Sequence, residues 1–294
     1  MSVNAPTSAR QGANMVEGEF AFTEADFRKI SAMVHGDAGI HLPDAKATLV
    51  YSRLAKRLRA LGLTSFKDYC ALVSEGNGLD ERQKMLAALT TNVTRFFREP
   101  HHFDHLRDKV LPPLLDAARR GGKVRIWSAA CSSGQEPFSI AMTILSLMPE
   151  APDRDIKILA TDIDPNMVAD GRSGEYAQHL LEGVPADYRK RYTANGAGGT
   201  VRMSDEVRAL VTFNELNLIG DWPMKGKFDA IFCRNVAIYF EDDTQSRLWS
   251  RFAPLVHMNG ALYIGHSERI QGPASAAFRP DGVTTYRKIA ECRA

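Results

Sequence analysis

The sequence predicts an α/β fold in which a mostly parallel, doubly wound sheet follows a small all-helical domain. The sheet is predicted because short apolar, β-prone runs alternate with helical patterns, at 124–127, 156–162, 228–233 and 261–266. Such alternation is typical of parallel strands joined by helices. The helical domain is predicted because residues 23–90 carry helical patterns only.

The predicted domains are a disordered leader at 1–19, a helical domain at 20–90 and a second domain at 91–294. The leader is rich in Ala, Ser, Gly and Asn. Two pairs of polar residues in the helical domain match the signals that begin helices. These pairs are Thr23 with Asp26, and Ser65 with Asp68.

One helical segment, from Asp44 to Leu61, has two contrasting faces. Leucines at 49, 54, 58 and 61 recur near helical spacing, which favours burial of that face. The other face carries five cations and no acid, so no pairing within the helix neutralises it. It is either a solvated surface or a docking surface for an acidic partner. We call it the basic face; its members are Lys46, Arg53, Lys56, Arg57 and Arg59.

Composition limits the classes of function. The 294 residues are 44% hydrophobic and 24% charged, as in ordinary globular proteins. A net charge of +2 does not by itself predict nucleic-acid binding. No run approaches the roughly 20 apolar residues of a membrane span, and no apolar signal-peptide segment begins the chain. Four cysteines lie far apart without metal-ligand spacing, which predicts reduced thiols in a cytoplasmic protein.

The segment 123–140 is the predicted centre of a ligand site. An apolar strand leads into the small residues 128–134, and Glu136 then opens a helix. In an open α/β sheet, such a unit presents free N–H groups to a ligand at the carboxyl end of the strand. Only Gly134 is a glycine, so the pattern is not the GxGxxG of dinucleotide-binding proteins. From these residues alone, a turn that serves only packing is equally compatible.

Two later features concern the same sheet. Asp162 ends the second predicted strand, where an acidic residue can accept hydrogen bonds from ribose hydroxyls. Residues 185–213 interrupt the alternation of strands and helices and predict a small antiparallel β insertion with a Gly-rich tip.

Histidines at 101, 102 and 105 are close in sequence. No cysteine or suitable set of carboxylates accompanies them, so the sequence predicts no metal site. The segment from 101 to 119 is instead predicted to form one helix, beginning after Pro100.

Four stretches, together with GHSE at 265–268, resemble one family in their order along the chain. They are TTNVTRFFREPHHF (90–103), IWSAACSSGQEPFSIAM (126–142), ILATDID (158–164) and FDAIFCRNVAIYF (228–240). They resemble the CheR family of chemoreceptor glutamate O-methyltransferases, and the resemblance extends over most of 20–288. It implies a Rossmann-like S-adenosylmethionine-dependent methyltransferase domain that needs no metal. It further implies that S-adenosylhomocysteine is the product and that glutamate γ-carboxylates of bacterial chemoreceptors accept the methyl group.

The resemblance also implies site residues, carried over by position. Arg98 and Tyr239 would orient the acceptor, since a guanidinium fork and a phenol donor suit a carboxylate. Glu136 suits the ammonium group of the cofactor. The implied cofactor-binding residues are Asn92, Thr94, Arg98, Glu136, Asp162, Asn217, Leu218, Arg234 and Asn235.

The sequence departs from the family pattern at four positions. Ala130 stands where the family commonly has Gly, and Gln135 stands where it has Glu. Arg95 and Ala237 stand where other residue types are frequent. The last two concern the acceptor side of the expected site.

The resemblance implies chemoreceptors as partners, and the charge of the basic face suggests that it docks on their acidic cytoplasmic helices. We expect no nucleic-acid partner and no membrane insertion. The loop 195–200 is shorter than in members that bind a receptor's C-terminal pentapeptide, so we expect independence from such a tether. Two alternatives are a methyltransferase for RNA or a small molecule and a cofactor-binding regulatory module without turnover. An NAD-dependent dehydrogenase is disfavoured because residues 128–133 contain no glycine.

Overall fold

The computed structural model describes residues 14–291, which divide after Thr90 into two units. Unit 1 ends at Thr90 and is helical, whereas unit 2 begins at Thr91 and contains both sheets. Each unit has its own buried apolar core. No helix within 14–291 has the length and apolarity needed to cross a membrane.

The predicted leader lies partly outside the described residues, at 1–13. The remaining part, 14–19, belongs to unit 1. The backbone N–H of Met15 donates to the carbonyl of Phe22 at 2.8 Å, and Glu19 forms an ion pair with a helix of the unit. These two contacts describe 14–19 within unit 1, and the disorder of the leader stays a prediction.

From residue 14 onward, unit 1 contains four α-helices around a core that includes Phe22, Phe27, Leu54, Leu58 and Phe66. The helices are α1 Glu24–Ala38, α2 Ala47–Leu61, α3 Phe66–Ser74 and α4 Leu79–Leu89. Both predicted starts are confirmed, since Thr23 and Ser65 accept hydrogen bonds from the N–H groups of Asp26 and Asp68. Leu61, predicted on the apolar face, is 40% exposed at the end of α2.

Two members of the basic face stabilise unit 1 internally. Arg57 donates two hydrogen bonds to Glu81, at 2.9 and 2.6 Å, and the Tyr69 hydroxyl donates to the same carboxylate at 3.0 Å. Arg53 donates to two carbonyls at the end of α4, at 3.2 and 2.6 Å. The interpretation of these two arginines as a free surface is wrong, because α4 supplies partners that spacing within α2 does not reveal.

The other three members of the basic face are exposed. Lys46 and Lys56 form no ion pair within the described chain, and Arg59 pairs with the half-exposed Glu19 at 2.8 Å. Exposed pairs of this kind contribute little to stability. These three cations are the part of the basic face that a partner can reach.

Unit 2 contains ten strands and seven α-helices in its described residues. The strands are β1 Val124–Ala129, β2 Ile156–Asp162, β3 Glu175–Ala177, β4 Thr193–Asn195, β5 Thr200–Met203, β6 Val211–Glu215, β7 Phe228–Cys233, β8 Val256–Ile264, β9 Phe278–Gly282 and β10 Thr285–Lys288. The helices are α5 His101–His105, α6 Leu111–Arg119, α7 Gln135–Leu147, α8 Pro165–Ser173, α9 Ala186–Tyr192, α10 Asp205–Ala209 and α11 Asp242–Phe252.

Seven strands form one sheet in the order β6-β2-β1-β7-β8-β10-β9. The pairs from β6 to β8 are parallel, and β10 runs antiparallel to both of its neighbours. Helix α7 joins β1 to β2, and α11 joins β7 to β8. The predicted mostly parallel sheet is confirmed.

The antiparallel insertion is present, but its predicted bounds are wrong. Its three strands have the order β3-β5-β4, so it begins with β3, before residue 185. The segment that ends the predicted insertion forms β6, which pairs in parallel with β2 at the edge of the main sheet. Alternating apolar residues such as Val211 and Phe213 suit either sheet, so the pattern alone could not assign them.

The segment predicted as one helix, 101–119, consists of α5 and α6 joined by a π-helical turn at Leu106–Val110. Pro112 and Pro113 follow this turn. Because proline has no N–H to donate, the prolines break the regular hydrogen-bond pattern where the helix changes its form.

The strand β1 and the helix α7 occupy the centre of unit 2. Val124, Ile126 and Trp127 are fully buried, and α7 is buried from Gln135 to Leu145 apart from Glu136. A helix that is apolar on all sides needs neighbours on all sides. Glu136 is therefore the polar exception in an otherwise buried helix start.

Candidate active site

The turn between β1 and α7 has an unusual backbone. Ala130, Ser132 and Gly134 adopt the left-handed conformation, with φ of 59°, 51° and 96°. Only glycine adopts it without strain, so surrounding contacts must hold the other two residues. The departure from the family pattern at Ala130 falls on one of these positions. Strain at the carboxyl end of the central strand favours a ligand-binding turn over a turn that serves only packing.

Asp162 lies at the end of β2, as predicted, and it is buried. Its Oδ2 accepts a hydrogen bond from the Ser132 N–H at 2.7 Å, and its Oδ1 accepts one from the Asp164 N–H at 3.0 Å. Burial raises the pKa of Asp162, although these N–H groups act in the opposite direction. Each oxygen retains a lone pair for a ribose hydroxyl. Asn92 lies nearby, since its Nδ2 donates to Asp164 at 3.0 Å.

A buried arginine that follows β7 lies between two carboxylates, one just before α5 and one at the start of α7. Arg234, whose side chain is 2% exposed, contacts Glu136 Oε2 at 2.8 Å through Nη1 and Glu99 Oε2 at 3.2 Å through Nη2. Ser128 donates to the other oxygen of Glu136 at 2.7 Å. We call Arg234, Glu99 and Glu136 the Arg234 cluster. When its members are ionised, it carries one excess negative charge, which favours a cationic ligand.

Glu99 stays ionised throughout the neutral range. Burial opposes its ionisation, but Arg234, His266 and His102 outweigh burial and lower its pKa from 4.5 to about 2. His266 Nδ1 lies 3.2 Å from Glu99 Oε1. The backbone of Glu99 is also left-handed, with φ of 58°, so conformation and charge are both specified at this residue.

The connection after β7 is held by a buried carboxylate, Glu268, which is 3% exposed. Its two oxygens accept hydrogen bonds from the N–H groups of Asn235, Val236, Ala237 and Gly265. Asn235 is left-handed, with φ of 58°. Burial raises the pKa of Glu268, against the four N–H groups that favour its charge. Glu268 therefore sets the backbone that presents Arg234 and Asn235.

The connection after β6 presents Asn217 and Leu218. Leu216 N–H donates to the Asp162 carbonyl at 2.9 Å, which places this segment beside the end of β2. Arg251 on α11 holds it: the guanidinium donates to the Leu218 carbonyl at 2.8 Å and lies 3.9 Å from the centre of the Trp222 ring. A charge on an aromatic face combined with carbonyl contacts fixes such a loop well.

Both residues predicted to orient the acceptor, Arg98 and Tyr239, have hydrogen-bond donors that are not engaged within the described residues. Arg98 donates to the Val93 carbonyl at 3.0 Å, and its own carbonyl accepts from Arg234. Tyr239 is half-buried in a short 3-10 turn, Ala237–Tyr239, on the same connection as Arg234. Within residues 14–291, the Tyr239 hydroxyl has no hydrogen-bond partner. Thr94, four residues before Arg98 in the sequence, lines a cavity of unit 2.

The histidines do have a carboxylate neighbour, contrary to expectation. Glu99, His101 and His102 each place one potential ligand atom within 4.8 Å of the others. Burial lowers the pKa of His102 to about 3, with Arg234 contributing, so this imidazole is neutral. Arg234 already neutralises Glu99 and would repel a metal cation at this position.

Comparison with known families gives the decisive observation. A family model described as CheR methyltransferase, SAM binding domain, matches residues 92–286, and one described as CheR methyltransferase, all-alpha domain, matches residues 25–90. The chain belongs to the CheR methyltransferase family. The resemblance found in the sequence is thereby confirmed, as are the S-adenosylmethionine-dependent methyltransferase class and the helical domain that precedes it.

Curated relatives agree over nearly their whole length. The chain is 56% identical over 258 residues to a "Probable chemotaxis protein methyltransferase" of Rhizobium etli, covering 87% of this chain and 96% of the relative. It is 44% identical over 270 residues to the "Chemotaxis protein methyltransferase" of Escherichia coli, covering 90% and 91%. It is 43% identical over 276 residues to "Chemotaxis protein methyltransferase 2" of Pseudomonas aeruginosa, covering 91% and 94%.

The site fits the cofactor of this family. S-adenosylmethionine carries a sulfonium and an ammonium group, which suit the excess negative charge of the Arg234 cluster. The Oδ1 of Asn235 is buried without a hydrogen-bond partner in the described structure, and a ligand donor would satisfy it.

Reasoning from the sequence missed three residues of the site. Glu99 follows Arg98 inside a quoted stretch, and Glu268 ends GHSE, but neither was assigned a role. Arg251 carried no signal, because it lies on α11 and contacts the connection after β6, which is distant in sequence. The available signal for Glu99 and Glu268 was that each is an acidic residue inside a stretch that resembles the family.

Proposed function

We propose that this methyltransferase transfers a methyl group from S-adenosylmethionine to glutamate γ-carboxylates of bacterial chemoreceptors in the cytoplasm. The products are glutamyl methyl esters, which serve sensory adaptation, and S-adenosylhomocysteine. The observation that carries the proposal is the Arg234 cluster, whose excess negative charge suits the cationic donor, in a chain of this family.

The chemistry requires little of the protein beyond orientation. The bound cofactor supplies an electrophilic methyl group on its sulfonium. A glutamate carboxylate is already ionised near neutral pH, so it attacks without a general base. Arg98 and Tyr239, with unengaged donors, orient that carboxylate in line with the methyl group. If donors bound the carboxylate too tightly, they would stabilise the ground state and slow its attack on the methyl group. A site with only a few donors to the carboxylate avoids this.

The nine residues predicted from the resemblance remain our proposed cofactor site. Asp162 would accept from ribose hydroxyls, Glu136 would receive the ammonium group, and Leu218 would cover the adenine. The set is Asn92, Thr94, Arg98, Glu136, Asp162, Asn217, Leu218, Arg234 and Asn235. Support comes from the shared edge of the sheet, where β1, β2 and β7 end.

The test is methyl transfer by an Arg98→Ala variant. Incorporation of labelled methyl groups into a purified chemoreceptor fragment should fall by roughly a hundredfold or more, since an orienting charge is lost. Arg119→Ala, which removes an exposed arginine of α6, is the control and should retain full activity. Turnover near the wild-type rate in Arg98→Ala would remove Arg98 from the reaction.

We propose that the exposed part of the basic face, Lys46, Lys56 and Arg59, contacts acidic receptor helices. Replacing all three by Glu should raise KM for the receptor fragment roughly tenfold, with unchanged affinity for S-adenosylhomocysteine. The variant avoids Arg53 and Arg57, whose reversal would disrupt unit 1. Unaltered kinetics would assign this face to solvent.

We also propose that docking does not depend on a receptor's C-terminal pentapeptide. The loop between β4 and β5 contains only residues 196–199, with left-handed Gly198 and Gly199. Calorimetry with the terminal pentapeptide of a tethered receptor should show no binding. Clear micromolar binding would contradict this proposal while leaving methyl transfer intact.

A further inference from the structure

Unit 2 contains a cavity of about 560 Å³ beside the candidate site. It lies between the segment that begins at Thr94 and the residues from His179 to Tyr188. Apolar and aromatic side chains form much of its wall: Phe97, Pro100, Phe103, Leu180, Pro185 and Tyr188. Among its lining residues, only Thr94 belongs to the site proposed above, so most of this concave, partly apolar surface has no assigned role.

One cation of the cavity is available to a ligand. Arg95 lines the cavity, is exposed, and forms no ion pair or side-chain hydrogen bond within residues 14–291. Arg107 lines it too, but contacts Asp104 at 3.0 Å and Asp108 at 2.7 Å. The exposed Glu182 also lines the cavity. Arg95 is therefore the positive group at which an incoming carboxylate finds no competing partner.

We propose that this cavity receives the stretch of the acceptor protein next to the reacting glutamate, with Arg95 pairing to a second acidic side chain of that stretch. The inference rests on the proposed function and deepens it by defining the acceptor sequence. Arg95 is three residues from Arg98, so their Cα atoms lie within about 11 Å. Arg95 lines the cavity, so the cavity begins within a few residues' length of an acceptor glutamate held at Arg98. Because Arg95 is exposed, the ion pair should contribute modestly to binding, while the apolar walls contact the apolar side chains of the same stretch.

The test measures KM and kcat for methylation of a purified chemoreceptor cytoplasmic fragment. Arg95→Ala should raise KM roughly three- to tenfold with little change in kcat, as expected for a partly exposed ion pair. Arg95→Lys should restore most of the loss. Arg119→Ala is the matched control and should leave both constants unchanged. Calorimetry with S-adenosylhomocysteine checks that each variant retains its cofactor site.

Fragments in which single acids near the acceptor glutamate are changed to amides identify the partner of Arg95. One such change should raise KM for the wild type by the same factor and have no further effect with Arg95→Ala. Unchanged KM in Arg95→Ala, or additive effects for every acid, would overturn the inference while the methylation itself stands. A wild-type protein that methylates no receptor fragment would instead refute the proposed function and, with it, this inference.

Discussion

Each unit of the molecule pairs an arginine with glutamate, and the two arrangements differ in charge balance. In unit 1, Arg57 meets one carboxylate, Glu81, which Tyr69 also contacts. In unit 2, Arg234 meets two carboxylates. The first group is closed, because every charge has its partner. The second is open, because one negative charge remains for a ligand.

The backbone conformation also differs between the two groups: it is regular around the closed group and strained around the open one. Arg57 and Glu81 lie inside regular helices. All seven non-glycine residues with positive φ in the described chain belong to unit 2: Phe97, Glu99, Ala130, Ser132, Asn235, Asn259 and Thr284. Five of them lie in the segments that build the candidate site. A closed pair stabilises a fold, whereas an open group is held in strained backbone that favours ligand binding over stability.

The largest effect should come from opening the closed group. Arg57→Ala leaves Glu81 buried without its cation and should lower the free energy of unfolding by about 3–5 kcal/mol. Urea denaturation measures this loss, with the exposed Lys56→Ala as the control. A loss below about 1 kcal/mol would show that water reaches Glu81 and that the group is not closed.

Glu268→Gln should have the next largest effect, because it disrupts the hydrogen bonds that hold the backbone around Arg234. The amide would turn an N–H toward two of the four backbone N–H donors. We expect about 2–3 kcal/mol less stability together with weaker binding of S-adenosylhomocysteine. Glu175→Gln, at an exposed carboxylate of the insertion, is the control. Normal affinity of Glu268→Gln for S-adenosylhomocysteine would show that the backbone held by Glu268 does not shape the cofactor site.

Neutralising a carboxylate of the open group should affect binding more than folding. Glu136→Gln removes the excess charge, while Glu99 still neutralises Arg234. Affinity for S-adenosylmethionine, measured by calorimetry, should fall roughly tenfold, which corresponds to about 1.4 kcal/mol. Stability should change by less. If stability fell more than affinity, the Arg234 cluster would serve folding as the Arg57 pair does.

The fold was largely predictable because periodic burial leaves a periodic sequence. The strands at 156–162 and 228–233 and both capped helix starts follow local patterns. Errors arose where contacts with elements distant in sequence determine the pairing of a strand or the partner of a side chain. β6 could pair with either sheet, and Arg53 and Arg57 found partners on α4.

The site was predictable where a family pattern marked its residues, and less so where geometry completes it. Glu136, Asp162 and Arg234 lie at the expected edge of the sheet. The roles of Glu99, Glu268 and Arg251 depend on contacts across 33 to 135 residues of chain or on backbone N–H groups. Residue types alone carry no record of such contacts.

The smallest effect concerns the pH dependence of the open group. The folded pKa of Glu99, about 2, lies below its ordinary 4.5. A depressed carboxyl pKa stabilises the fold above the ordinary value, and this contribution is lost as pH falls from about 4.5 toward 2. Wild type should exceed Glu99→Gln in stability by about 1–2 kcal/mol near pH 7, after reduction for solvent screening.

Urea unfolding of both proteins at neutral and acidic pH measures that difference directly, and it should shrink steadily below about pH 4.5. Glu175→Gln should show no such trend against wild type. A gap that stays constant with pH would mean that the amide loses hydrogen-bond geometry rather than charge. In that case Glu99 would act as a fixed structural partner of Arg234, and the contrast with the closed Arg57 pair would rest on Glu136 alone.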